Sequence, residues 1–244
     1  MISKECAKIY ANVYSAYMYA KLKTLGPIVV ASTKLGISNH GFDCPVCGYS
    51  GPFLNIRRKN ASCPQCGSAE RHRLQFLVVQ KLQKRYDFSK MAMLHVAPEQ
   101  CFYKLFKKQF AKYTTIDIEK KENIDYQADL CDLPFENSSY DCVFASHVLE
   151  HIKEDRKAIS EIRRVLKPGG FAILPVPVTV QKTIEYPEPN PYEAYHVRAP
   201  GFDYLDRYLE YFSRLKTWSS EDFSKRYQLY AGEKIVEYTP VCFV

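Results

Sequence analysis

Two short stretches of this chain, Cys44-Pro45-Val46-Cys47-Gly48 and Cys63-Pro64-Gln65-Cys66-Gly67, repeat one pattern, C-P-x-C-G. Together they make a C-x2-C-x15-C-x2-C spacing, which brings four sulfurs to one tetrahedral ion and dictates a small ribbon around it. In each knuckle the proline sets a tight turn, and the glycine lets backbone amides turn back toward the sulfurs. Secreted disulfide frameworks do not usually repeat such a knuckle. Protein fills all four ligand positions, so the expected metal is a structural zinc ion on Cys44, Cys47, Cys63 and Cys66.

A chain of 244 residues has room for one full domain beside this appendage. The other cysteines, Cys6, Cys101, Cys131, Cys142 and Cys242, stand singly in patterned segments, as buried reduced thiols do. No apolar run approaches the roughly 20 residues of a membrane span, and no signal-peptide pattern stands at the start. A cytoplasmic protein is expected. The net charge of +7 is uneven: residues 1–90 hold 14 Lys and Arg against 4 Asp and Glu, and the remainder is slightly acidic. A basic metal module can meet nucleic acid, an acidic membrane surface or an acidic partner, or it can be a solvated face.

Periodicity predicts a helix over 3–24, with Ile9, Tyr10, Val13, Tyr14 and Tyr17 on its apolar side and Gly26-Pro27 ending it. Such a basic, tyrosine-rich helix packs on its own protein or docks on a membrane, and it is a candidate element for homo-oligomer formation. The ribbon follows over 41–70. A connecting helix is expected from Glu70 to Arg85, with Leu74, Leu77, Val78 and Leu82 on one face. From Met91 strands and helices alternate: strands over 91–96, 113–118, 140–146 and 171–176, helices over 100–112 and 148–166. This is the pattern of a doubly wound parallel α/β sheet, whose ligands bind at the carboxyl ends of the strands. The segment 187–200, with four prolines, reads as a loop or cap. The expected domains are an N-terminal helical segment (1–40), the ribbon with its connecting helix (41–88), and the sheet domain (89–244) with a cap loop at 179–210.

The block Tyr140–Val178, YDCVFASHVLEHIKEDRKAISEIRRVLKPGGFAILPVPV, resembles the class I S-adenosylmethionine-dependent methyltransferases of the ubiquinone-biosynthesis-like, type 11 group. The likeness runs from the first sheet strand to the end of the chain. The first strand-to-helix loop, Leu94-His95-Val96-Ala97-Pro98-Glu99, lacks the glycines usual there. An LHxAPE loop accompanies a CPxCG ribbon and a GSxERHR stretch, here Gly67–Arg73, in one subgroup that this chain resembles.

The resemblance implies a Rossmann-like methyltransferase sheet, S-adenosylmethionine as cofactor, and a set of site residues. Asp117, beside Ile118 at the end of the strand YTTIDI, would hold the adenosyl ribose. Asp129 and Leu130 would meet the adenine. Glu99, with His95 and Ala97 in the first loop, would face the methionine part, and Ser146 would complete the cofactor site. Thr183, Glu185 and Arg198 stand where the subgroup has substrate-side residues. Methyl transfer needs the acceptor aligned with the methyl and, for a hydroxyl, its proton removed, a task suited to histidine. His147 lies just past the fourth strand, His151 one helical turn on, and His196 in the cap; these are the candidate bases.

The first expectation is therefore an O-methyltransferase of a small polar molecule, such as a sugar or sugar conjugate. The second is an RNA methyltransferase whose basic ribbon holds RNA; Tyr49 and Phe53 are the only ribbon aromatics suited to stacking on bases. The third is a non-catalytic binding scaffold on the same fold.

Overall fold

The computed structural model describes residues 4–36, 41–232 and 234–244, and of residues 4–12, 14 and 15 it describes the backbone alone. The side chains of Ile9, Tyr10 and Tyr14, expected on the apolar face of the first helix, therefore lie outside the described residues, as does Cys6. The chain divides into two compact units, residues 1–80 with Ser219–Glu237, and Lys81–Trp218 with Tyr238–Val244. The segment Ser219–Glu237, read from the sequence as part of the sheet domain, thus falls in the unit that holds the cysteine knuckles.

In the first unit the helix α1 (Lys4–Lys34) continues through Gly26-Pro27, where the sequence pattern places its end. An internal proline costs a helix about 3 kcal/mol, so something must compensate. The compensation is packing on the ribbon: a Cβ on Gly26 would collide with the carbonyl of Pro64 in the second knuckle, so this glycine permits close approach instead of ending the helix. Val30 packs on the ribbon's small core, and the Thr33 and Tyr49 hydroxyls lie 3.0 Å apart. The strands β1 (Phe42–Asp43) and β2 (Ser50–Gly51) pair antiparallel around the first knuckle.

The helix α2 (Glu70–Gln83) buries Leu74, Leu77 and Val78, as its periodicity predicts, and Leu229 packs on Leu74 and Leu77. Three of its polar residues, Glu70, Arg73 and Gln75, are buried too. Glu70 receives both the Nε and Nη2 donors of Arg58. Arg73 donates to the carbonyls of Ala61 and Ser68 on the ribbon side and of Tyr227 and Gln228 in the returning segment, with its guanidinium 4.5 Å from the Phe53 ring centre.

The second unit contains β3 (Ala92–Val96), α3 (Gln100–Gln109), β4 (Lys112–Asp117), β5 (Tyr126–Gln127), β6 (Tyr140–Ala145), α4 (Asp155–Val165), β7 (Leu166–Ile173), β8 (Ile184–Asn190), β9 (His196–Ala199), α5 (Asp206–Leu209), β10 (Arg214–Ser219) and β11 (Tyr238–Phe243). Among the described residues its main sheet has the order β10-β11-β7-β6-β3-β4-β5. Strands β3 to β7 run parallel, and β11 returns antiparallel on β7. From β3 the chain winds outward through β4 to β5, then crosses back to β6. The switch point therefore lies between β3 and β6, where a crevice opens at the strands' carboxyl ends.

Two elements depart from the sequence pattern. The helix expected over 148–166 starts only at Asp155, after a 3-10 turn at Leu149–His151. Arg198 explains the delay, since its guanidinium takes the carbonyls of Leu149, Ile152 and Lys153. The proline-rich segment is a two-stranded antiparallel hairpin, β8 with β9, and not a loop. Ala194 and Tyr195 turn its tip with φ of 52° and 64°.

Candidate functional site

A cavity of about 590 Å³ occupies the crevice at the carboxyl ends of β3, β4 and β6. Its walls come from three stretches: Val96 and Ala97 after β3, Asp117, Ile118 and Lys121 after β4 with the 128–131 turn, and residues 147–154 with the exception of Leu149 and Glu150. Five of the eight residues expected to bind cofactor, Ala97, Asp117, Ile118, Asp129 and Leu130, line this one space.

Ala97 accounts for the missing glycine. Its φ is 47°, in the left-handed region that glycine adopts without cost, and its amide donates to the carbonyl of Ile116 at 2.8 Å. The loop keeps the backbone turn and fills it with the smallest side chain that has a Cβ. Asp117 is 7% exposed; its Oδ1 accepts from the amide of Glu119 at 2.9 Å and its Oδ2 lies 2.7 Å from Lys121 Nζ. Beside it Ile118 is 64% exposed, an apolar side chain turned out into the cavity opposite buried Leu130. Asp129 accepts from the amide of Cys131. Burial, reinforced by Asp129, pushes the Cys131 thiol up to about 11, so it stays protonated.

His95, Glu99 and Ser146 do not line the cavity. His95 is fully buried, with Nδ1 2.8 Å from the Tyr113 hydroxyl and Nε2 3.0 Å from Glu99 Oε2, so it holds the Glu99 carboxylate from behind.

The three histidines are brought together. His147 and His151 line the cavity, and the ring of His196, on β9, meets His151 edge-on at 4.7 Å. His147 has φ 53°, another left-handed residue, and its amide donates to the carbonyl of Pro175. Strained backbone of this kind persists where the surroundings hold it, and such positions gather at functional sites. Burial holds the His196 imidazole below its ordinary value, favouring the neutral ring. Between them stands Glu150, fully buried, with Oε1 3.3 Å from His147 Nδ1. Sequence reasoning passed over Glu150; the signal was its place between two histidines in His147-Val148-Leu149-Glu150-His151.

Of the three residues expected on the substrate side, Glu185 and Arg198 lie in the hairpin and Thr183 just before it, none on the cavity wall. Arg198 is 2% exposed, and its donors go to three backbone carbonyls and to Glu185. That makes it an internal strut that ties the hairpin to the turn after β6. Glu185 also pairs with Arg207, and Thr183 bonds Asp203 through both its amide and hydroxyl.

In the first unit the four knuckle cysteines converge, their sulfurs all within 4.8 Å of one another, with Cys44–Cys66 and Cys47–Cys63 at 3.6 Å. A tetrahedral zinc with bonds of about 2.3 Å separates its sulfurs by about 3.8 Å, so the donor set fits that ion. Gly48 and Gly67, with φ of 76° and 74°, close both knuckles in the same way.

The parallel sheet with its switch-point crevice defines a Rossmann-like α/β fold. Residues 94–174 match the family described as a methyltransferase domain, and they carry the crevice and its histidines. The chain is similar to the demethylmenaquinone methyltransferase of Clavibacter sepedonicus, 33% identical over 102 residues, which cover 38% of this chain and 42% of that one. It is also similar to the ubiquinone/menaquinone biosynthesis C-methyltransferase of Escherichia fergusonii, 36% identical over 74 residues, covering 30% of this chain and 28% of that one. The chain thus spans less than half the length of either curated relative. A solved S-adenosylmethionine-dependent methyltransferase from Mesorhizobium loti shares the fold with a TM-score of 0.51 at 11% identity, over 68% of this chain and 96% of that one. Among the described residues no helix is long and apolar enough to cross a membrane.

Proposed function

We propose that the protein is an S-adenosylmethionine-dependent methyltransferase that methylates a hydroxyl of a small polar molecule, such as a sugar or sugar conjugate. The observation that carries this reading is the shared cavity, with Asp117 and the exposed Ile118 on one side and His147, backed by the buried Glu150, on the other. Asp117 is suited to accept from two ribose hydroxyls, and Ile118 with Leu130 to flank an adenine. When bound, the cofactor supplies an electrophilic methyl group on a sulfonium. The chain itself aligns an acceptor, excludes water and removes a proton.

His147 is the better base of the three. Its Nδ1 faces the buried carboxylate of Glu150, which orients the ring and stabilises the charge it acquires, leaving Nε2 to take the proton. The four cysteines hold a structural zinc in this reading. The two curated relatives support a second reading, methylation at carbon of a quinone-like acceptor, because one is named a demethylmenaquinone methyltransferase and the other a ubiquinone/menaquinone biosynthesis C-methyltransferase. Calorimetry with S-adenosylmethionine, followed by transfer of labelled methyl into candidate sugars, hydroquinones and RNA, tests the proposal. Absence of cofactor binding defeats it, and label on a ring carbon or in RNA replaces the acceptor.

A further inference from the structure

The carboxylate of Glu150 presents a problem in energetics. It is fully buried, and neither of its oxygens completes a hydrogen bond among the described residues. Burying an ionised carboxylate without partners costs several kcal/mol, and native structures avoid it by pairing the charge or binding a metal. Three imidazoles surround this one. His147 contacts Oε1, and one ligand atom each from Glu150, His151 and His196 lie within 4.8 Å of one another. This is the second group of metal-ligating side chains in the described residues, and unlike the cysteine set it borders the cavity through His151.

We infer that Glu150, His151 and His196 form a binding site for a first-row divalent cation at the end of the cavity. Bonds of about 2.0–2.2 Å to nitrogen and oxygen set tetrahedral ligand atoms about 3.3–3.6 Å apart, a spacing these three atoms, already within 4.8 Å of one another, reach by side-chain adjustment alone. Two imidazoles and one carboxylate suit first-row transition ions over calcium or magnesium, and three protein ligands leave positions open to an outside molecule. His151 sits at the cavity wall and His196 on the hairpin, so the ion also joins β9 to the turn after β6.

Its catalytic role rests on the methyltransferase reading above; its binding does not. A hydroxyl coordinated there becomes more acidic. Its O–H bond then breaks with the proton passing to His147, and the oxygen's electron pair forms the O–CH3 bond. The S–CH3 bond breaks in the same step, its electrons remaining on sulfur as a neutral thioether.

The test adds Co2+ to the full chain after its cysteine site has been filled with zinc, and follows visible absorption and bound metal. One additional cobalt per chain is expected, with weak d–d bands and without intense thiolate charge transfer. Glu150→Gln should weaken that binding at least tenfold while leaving the zinc content unchanged. If the buried substitution prevents folding, His151→Gln and His196→Gln, each on a less buried side chain, are to show the same loss. Cobalt that does not bind, that binds only with thiolate charge transfer, or that binds the histidine variants as tightly as the parent overturns the inference. Cofactor binding without the cobalt site leaves the methyltransferase reading standing alone; the cobalt site without cofactor binding removes that reading and keeps the metal.

Discussion

Nδ1 of His147 lies 3.3 Å from Oε1 of Glu150, and the histidine reaches it from a left-handed backbone position pinned to Pro175. A ring held in this way presents Nε2 in one direction, as a general base requires. His147→Ala is expected to lower turnover by roughly 10²- to 10⁴-fold with cofactor affinity unchanged. Rapid-quench measurement of methyl transfer beside calorimetry separates the two effects. Near-parental turnover would remove His147 from the chemistry.

In the proposed reading Asp117 is the cofactor-side counterpart. Asp117→Ala should weaken S-adenosylmethionine at least tenfold, about 1.4 kcal/mol, on the scale of lost charge-assisted hydrogen bonds. Lys121 now occupies Oδ2 at 2.7 Å and competes for the same carboxylate. Lys121→Ala should therefore bind the cofactor as tightly as the parent or more so, and weaker binding would assign Lys121 to the site instead.

Ala97 gives a prediction of opposite signs. Ala97→Gly should leave stability within about 0.5 kcal/mol of the parent and retain cofactor binding, because the backbone conformation suits glycine. Ala97→Val places a β-branched residue in the left-handed region and should cost about 2 kcal/mol in urea unfolding. Equal stability of the two variants would show that the turn does not constrain this position.

Zinc is expected at one ion per chain, measured by elemental analysis. Cys63→Ser with Cys66→Ser should abolish it, since two thiolates cannot complete the tetrahedral set. The same variant should make Ser219–Glu237 sensitive to protease, as that segment packs in the ribbon's own unit. Unchanged zinc content would place the metal elsewhere.

Arg198→Leu should cost about 3 kcal/mol or more of stability, because three backbone carbonyls and Glu185 lose their partner. Arg198→Lys should recover only part, as an ammonium cannot reproduce the fork. A variant of parental stability with a raised KM would instead assign Arg198 to the substrate side.

What was legible in the sequence was local. The convergence of Cys44, Cys47, Cys63 and Cys66 is spelled out by their spacing, and strand-end positions such as Asp117 and Ala97 follow from alternation of strand and helix. Long-range polar contacts were not legible. Arg198 reaches back some 45–49 residues to the carbonyls it binds, and only that contact shows why the helix after His151 starts late. Glu150 was hidden for the same reason: read as one turn of a helix it is a solvent-facing acid, whereas the 3-10 turn rotates it inward between histidines. Gly26-Pro27 carried a true local signal for helix termination, overridden by close packing on Pro64.

The four carbonyls held by Arg73 come from both sides of the sheet domain in sequence, Ala61 and Ser68 before it, Tyr227 and Gln228 after it. The ribbon is therefore not a detachable prefix. A chain begun at Lys81 would keep Ser219–Glu237 but leave its carbonyls facing no guanidinium and Leu229 without Leu74 and Leu77. Grafting or removing this module therefore means altering the chain at two places far apart in sequence, which a terminal fusion or truncation does not do.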